Sequence, residues 1–296
     1  MLQLILIITL GVPNPAQMER SYANWLNYSE VAQGEISPQL ASIWGAPRMA
    51  HRRYVIMQPA SRANIYLRFV QVAPAPAYVP MKTVGWNAIE SMVQDPDGLA
   101  QRLGAQGSPF KIAGRPRPLW PGSPIRAMQV IGPAKEVLYL TRVPGLSGQG
   151  TRATTYIDRP FVVVLGSKDL DATRRFYGHL GLAVGSGTME ARLTVLNKAF
   201  GFDPETKHPI GMARVSDQYS LELDQYPDSA SARPTRPGEL PPAIAMVSFE
   251  VKSLDEVKTP LLAPSRAISS LPYRGGKVGV IKGPSGELIE LIQETK

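Results

Sequence analysis

The chain has 296 residues, 44% of them hydrophobic, with no cysteine and a formal net charge of +8. That length and composition suit two ordinary domains, or four small units that bury their faces by pairing, and exclude a largely disordered protein. The missing cysteines exclude disulfides and thiolate ligands, so a metal could be held only through oxygen or imidazole.

The basic residues are dispersed, the densest clusters being Arg52-Arg53, Arg115 with Arg117, and Arg174-Arg175. No basic helix or aromatic-interleaved platform for nucleic acid results, and the charge implies a basic surface with some attraction for acidic small molecules. The opening run Leu2 to Val12 is apolar and rich in β-branched residues, which predicts a buried first strand. It lacks the positive flank and cleavage site of a signal peptide and is too short to cross a bilayer. A cytoplasmic protein with no membrane partner is expected.

Further along, four segments each read β-α-β-β-β. In the first, Leu10 to Asn14 leads from a strand into a helix carrying Ser21-Tyr22. The second opens with Gly85-Trp86-Asn87-Ala88-Ile89, turns at Asp95-Pro96-Asp97, and runs a helix through Leu99 to Leu103 that ends at Gly104. Val143 to Gly150 reads as a linker from its glycine and proline content. The third unit has the strand Phe161 to Leu165, a capped turn at Ser167 to Asp171, a helix over Ala172 to Leu180 and a stop at Gly181. A strand near Leu182 to Gly187 and two more between Ala191 and Asp224 complete it. The fourth opens with Ile244 to Val251, turns at Ser253-Leu254-Asp255 and has a short helix stopped near Pro260. The proline-rich stretches Gly114 to Pro124 and Tyr226 to Pro242 read as surface connections.

Each unit closes on a similar short strand: Asn64-Ile65-Tyr66-Leu67, Val137-Leu138-Tyr139-Leu140, Ser220-Leu221-Glu222-Leu223 and Leu288-Ile289-Glu290-Leu291. The polar-tipped centres are Tyr66, Tyr139, Glu222 and Glu290, at spacings of 73, 83 and 68 residues. The fold class expected is α+β, four βαβββ modules paired into two curved half-barrel domains, with 1–143 as one pair and 151–296 as the other.

Two segments carry a family resemblance. Val162-Val163-Val164-Leu165 with Asp169 to Tyr177, and the closing Gly283-Pro284-Ser285-Gly286-Glu287-Leu288-Ile289-Glu290-Leu291, resemble the vicinal oxygen chelate superfamily of glyoxalase, bleomycin-resistance and extradiol dioxygenase proteins. The resemblance implies a curved sheet enclosing a cavity, with metal ligands in metal-using members drawn from the first and last strands of a unit. It places the first-strand ligand seven or eight residues before the turn, at Ile7 or Leu6, Ala88 or Asn87, Val162 or Phe161, and Met246 or Ala245. None of these is a histidine. The family's usual metal is therefore not expected, and no cofactor is assigned, beyond a divalent cation held weakly at Glu222 and Glu290 through oxygen ligands.

The chemistry expected falls on Glu290 and Glu222. Two carboxyls sharing a partly apolar cavity would separate into one acid and one base near neutral pH, which suits lyase or isomerase chemistry on a small oxygenated compound, aromatic ones included. Asn87, Trp86, Tyr66, Tyr139, His51 and His208 are candidate substrate contacts, and His179, late in a helix, is read as a surface residue. A small molecule is the expected partner, and a homodimer is compatible with the sequence. A metal-free binding or resistance-type protein is the second reading. A metal-dependent dioxygenase or glyoxalase is the third.

Overall fold

In the computed structural model, which describes residues 2–144 and 152–293, the four units are present. The first comprises β1 (Leu2–Val12), α1 (Pro15–Leu26), β2 (Ser29–Glu35), α2 (Pro38–Ile43), β3 (Arg53–Gln58) and β4 (Tyr66–Gln71). The second comprises β5 (Gly85–Val93), α3 (Pro96–Leu103), β6 (Lys111–Pro118), β7 (Arg126–Ile131) and β8 (Val137–Arg142). The third runs through β9 (Ile157–Ser167), α4 (Leu170–His179), β10 (Ala183–Val184), β11 (Met189–Arg192), α5 (Thr194–Phe200), β12 (Lys207–Arg214) and β13 (Ser220–Gln225). The fourth holds β14 (Ala243–Val251), a 3-10 turn (Leu254–Glu256), β15 (Arg266–Ala267), β16 (Lys277–Lys282) and β17 (Leu288–Gln293). The Gly145 to Gly150 part of the expected linker lies outside the described residues.

Each unit's helical turn starts on a capping side chain. Asn14, Asp95, Asp169 and Ser253 accept hydrogen bonds from backbone N–H groups at the starts of α1, α3, α4 and the 3-10 turn, satisfying donors that have no partner within a helix. Gly181, at φ 85, follows the end of α4 as expected.

Two open sheets result, ordered β15-β16-β17-β14-β1-β4-β3-β2 and β10-β12-β13-β9-β5-β8-β7-β6, with β11 paired to β12. The expected paired half-barrels are there, but their composition differs from the expected halves. Unit one joins unit four through the antiparallel β1–β14 pair, and unit two joins unit three through β5–β9. The boundary near residues 143–151 therefore separates halves of the sequence, not sheets. The physical reason is that all four first strands are predominantly apolar and buried, so their sequences do not specify which of them pair.

One face of each sheet, together with α1, α3 and α4, builds a common core that includes Ile8, Phe69, Trp86, Leu99, Val163, Tyr177, Phe249 and Leu291. The opposite, hollow faces carry separate clusters. Ile7, Trp44, Val70, Met246 and Tyr273 belong to the first sheet's, and Ala88, Val137, Val164, Leu196 and Tyr226 to the second's. The segment after β13, expected as a plain connection, is pinned where the sheets meet. Arg233 in it donates to the carbonyl of Ile244 at 2.5 Å and to that of Trp86. Among the described residues no helix is long and apolar enough to cross a membrane.

Candidate functional site

Strand register shows which residues are equivalent. Within each unit the first and last strands run parallel, and the pairs Thr9–Arg68, Glu90–Tyr139, Val164–Glu222 and Ser248–Glu290 sit side by side. The first member of each pair stands five residues before the helix cap: Thr9 before Asn14, Glu90 before Asp95, Val164 before Asp169, Ser248 before Ser253. The last-strand series is therefore Arg68, Tyr139, Glu222, Glu290. Tyr66 is not the equivalent of Glu290. It lies two residues earlier on the same face, because side chains alternate with period two and a slip of two preserves the face. The better match, Tyr66-Leu67-Arg68-Phe69-Val70-Gln71 against Leu288 to Gln293, was available in the sequence.

In the first half-barrel Glu290 is fully buried and accepts four hydrogen bonds. Oε1 accepts from Trp44 Nε1 at 2.6 Å and the Tyr273 hydroxyl at 2.8 Å. Oε2 accepts from Arg68 at 3.1 Å and from the Ser248 hydroxyl. Arg68, 1% exposed, donates to Thr9 Oγ1 at 3.0 and 2.8 Å and to Tyr273, and stacks 4.6 Å from the centre of the Trp44 ring. Both charges are thus paired and fully hydrogen-bonded, the condition under which a buried ion pair is tolerated. A cavity of about 250 Å³ lies over this network, with Arg68 and Tyr273 in its wall beside Gln39, Leu40 and Ile56.

The second half-barrel carries the opposite electrostatics. Glu90, Tyr139 and Glu222 are half-buried and Asp224 is fully buried. Thr141 donates to Glu90 at 2.5 Å. Burial first, then the neighbouring Glu222 charge, pushes the Glu90 carboxyl up to about 8. Glu222 and Asp224, two apart on β13, share a face and interact. Burial raises both, and the charge of Asp224 raises Glu222 further. Their contact becomes a hydrogen bond when one of them holds a proton, and among the described residues no other donor reaches either oxygen of Asp224. Burial, with these acids beside it, holds the Tyr139 hydroxyl well above its ordinary range, so it is protonated.

The two glutamates expected to share a cavity therefore lie in different half-barrels, because their units belong to different sheets. Glu90, Asp224 and Arg68 are not among the residues expected from the sequence. Glu90 and Asp224 could have been found from the five-residue offset to the cap and from the period-two partner of Glu222. The other candidates are scattered. Asn87, 1% exposed, donates to the carbonyls of Thr83 and Gly85 and braces the start of β5. Trp86 donates to the Leu288 carbonyl at 2.9 Å and ties one sheet to the other, beside a cavity of about 380 Å³ that it shares with Trp44 and Arg233. Tyr66 donates to Asn64 at 3.2 Å. His51 is exposed in a turn ahead of β3, 3.7 Å from Glu35. His208 lies in strand β12, where Lys207 to Ile210 pair with β11; its ring is 2.6 Å from Asn197.

The metal implied by the resemblance does not fit the residues present. In the first half-barrel a guanidinium already occupies the space between Thr9 and Glu290, and every oxygen of Glu290 is engaged. The first-strand positions Ile7, Ala88, Val162 and Met246 are apolar and buried. Among the described residues no three His, Cys, Asp or Glu side chains are grouped to hold a metal ion.

Neither a protein-family model nor a curated protein sequence matches the chain. Solved structures do. Glyoxalase I from Zea mays is 14% identical with a TM-score of 0.65, over 98% of this chain and 92% of that one. A protein of Bacillus subtilis strain 168 described as a "putative dioxygenase" is 13% identical with a TM-score of 0.61, over 100% of this chain and 86% of its own.

Proposed function

We propose that this chain, which has the paired βαβββ half-barrels of the vicinal oxygen chelate fold, carries out metal-independent acid/base chemistry in its second half-barrel, of lyase or isomerase type, on a small oxygenated compound. The observation that carries the reading is the set Glu90, Glu222 and Asp224 around Tyr139, with acids held near or above neutrality. Glu222 and Asp224 hold one proton between them, and the ionised member takes a proton from carbon next to a substrate carbonyl. Glu90, protonated at pH 7, gives a proton to the developing oxygen anion, and the Tyr139 hydroxyl donates a hydrogen bond to the same oxygen. Side chains of this chain thus supply both proton transfers.

Glu290, expected as the leading catalytic group, has no place in this scheme. Both of its oxygens are engaged by Trp44, Tyr273, Arg68 and Ser248, which leaves neither free to reach a substrate. Ligands selected from an oxygenated set by thermal shift, followed by product analysis, test the proposal. Glu222→Gln is expected to keep the ligand-induced shift and lose about 100-fold or more in turnover, whereas Glu290→Gln loses stability and retains turnover. Unchanged turnover in Glu222→Gln would remove the second half-barrel from the chemistry.

A further inference from the structure

The two half-barrels are built alike, and the first shows what a buried acid on a last strand does in this scaffold. Glu290 meets a cation from the matching strand of the paired unit, Arg68, at 3.1 Å. In the second half-barrel that matching strand is β8, and it presents Tyr139 where the first presents Arg68. Glu222 has no cation, and two further acids, Glu90 and Asp224, stand on the same hollow face. Among the described residues, none of the three belongs to an ion pair.

Asp224 is 0% exposed, and among the described residues no fixed donor hydrogen-bonds to either of its carboxyl oxygens. A proton shared with Glu222 satisfies one of them at most. Buried acceptors without donors cost free energy until a donor arrives. The neighbouring surface is apolar, with Ala88, Val137, Val164 and Ile210 buried around it.

We propose that the hollow of the second half-barrel binds an organic cation, a primary ammonium group on a compact apolar or aromatic body. The ammonium supplies three donors and one positive charge and is seated against Asp224 and Glu222. The apolar residues receive the body. The ligand thereby takes the electrostatic role that Arg68 plays in the first half-barrel. This inference rests on the second half-barrel being the ligand site and names the substrate class that site selects.

Benzylammonium chloride, with n-butylammonium chloride as a second probe, tests it by calorimetric titration of the full chain at pH 7.5, against benzyl alcohol as the neutral isostere. The expected result is saturable one-to-one binding of an ammonium probe, with benzyl alcohol at least tenfold weaker. Asp224→Asn, and independently Glu222→Gln, should weaken the ammonium probes tenfold or more while retaining a cooperative thermal transition. Two variants guard against one of them failing to fold. Equal affinity for the alcohol, no binding of either ammonium, or full affinity in a folded Asp224→Asn protein would each overturn the proposal. So would stoichiometric displacement of the probe by submillimolar magnesium or calcium chloride. Binding is read without turnover, so the two readings can fail separately. Ammonium binding without any product keeps this inference and removes the acid/base reading, while turnover that depends on Glu222 without ammonium binding does the reverse.

Discussion

Glu222 and Glu290 occupy matching places on matching strands, yet their surroundings give them opposite chemistry. Glu290 meets a guanidinium, an indole N–H and two hydroxyls, and is spent on structure. Glu222 meets another carboxyl and is driven toward its protonated form. Glu90 gives the clearest pH signature, since its carboxyl is pushed up to about 8 in the folded chain. An ordinary glutamate in the unfolded chain titrates near 4.3. Its contribution to stability is therefore fully present below about pH 4, shrinks as the pH rises, and is lost once the pH passes 8. Glu90→Gln, which keeps an acceptor for Thr141, should leave stability at pH 4 unchanged and raise it at pH 8.5 and above, on the order of 1–3 kcal/mol. Urea unfolding at the two pH values measures this, and an equal effect at both would show that Glu90 is ionised normally. The half-barrel to which each glutamate belongs could not be read from residues, because Leu-Glu-Leu and Ile-Glu-Leu look alike locally.

At the scale of elements, one device appears twice. Gly132-Pro133-Ala134-Lys135-Glu136 before β8 and Gly283-Pro284-Ser285-Gly286-Glu287 before β17 are the same turn. In each, the glutamate folds back to accept a backbone N–H two residues earlier, at 2.9 and 2.8 Å. A Cβ on Gly132 or Gly283 would collide with that carboxyl, which is why glycine stands there. Each glutamate also accepts a hydrogen bond from a helix of the preceding unit, Tyr22 to Glu136 at 3.0 Å and Tyr177 to Glu287 at 3.1 Å. These bonds join unit one to unit two and unit three to unit four, across the two sheets. Tyr22→Phe and Tyr177→Phe should each lower stability by about 1–3 kcal/mol by leaving a buried carboxyl short of a donor. The double variant should show the sum, since the two sites share no partner. Denaturant midpoints decide it, and a loss below 0.5 kcal/mol in both, on the order of an ordinary surface change, would demote the tyrosines to packing residues. The resemblance between Ser21-Tyr22 and Phe176-Tyr177 was legible in the sequence. That each hydroxyl reaches a glutamate more than a hundred residues away was not.

For the whole molecule, the pairing of unit one with four and two with three interlocks the halves of the chain. Strands β1 and β5 each lie in mid-sheet, with partners β14 and β9 supplied by the C-terminal half. Residues 1–144 alone would expose two long apolar strand edges, a template for aggregation. Neither 1–144 nor 152–296 is expected to purify as a soluble monomer, whereas the two co-expressed should elute as a one-to-one complex in size-exclusion chromatography. A monomeric half with its own cooperative unfolding transition would contradict the interlock. The same arrangement keeps the two hollows apart, so the ion-paired first half-barrel and the acidic second can differ in chemistry within one chain.

The sequence by itself determined the four βαβββ units, their caps, their largely apolar first strands and the polar position on the last strands of units two, three and four, while in unit one it pointed to Tyr66 and not to Arg68. These follow from local rules: side-chain periodicity, capping chemistry and glycine stops act over a few residues. Only the tertiary structure decided which units share a sheet. Arg68 therefore meets Glu290, and Glu222 with its strand neighbour Asp224 meets Glu90, none of these three acids belonging to an ion pair among the described residues. Pairing is a contest between strand edges far apart in sequence, and four apolar strands of similar pattern carry no local mark of the winner.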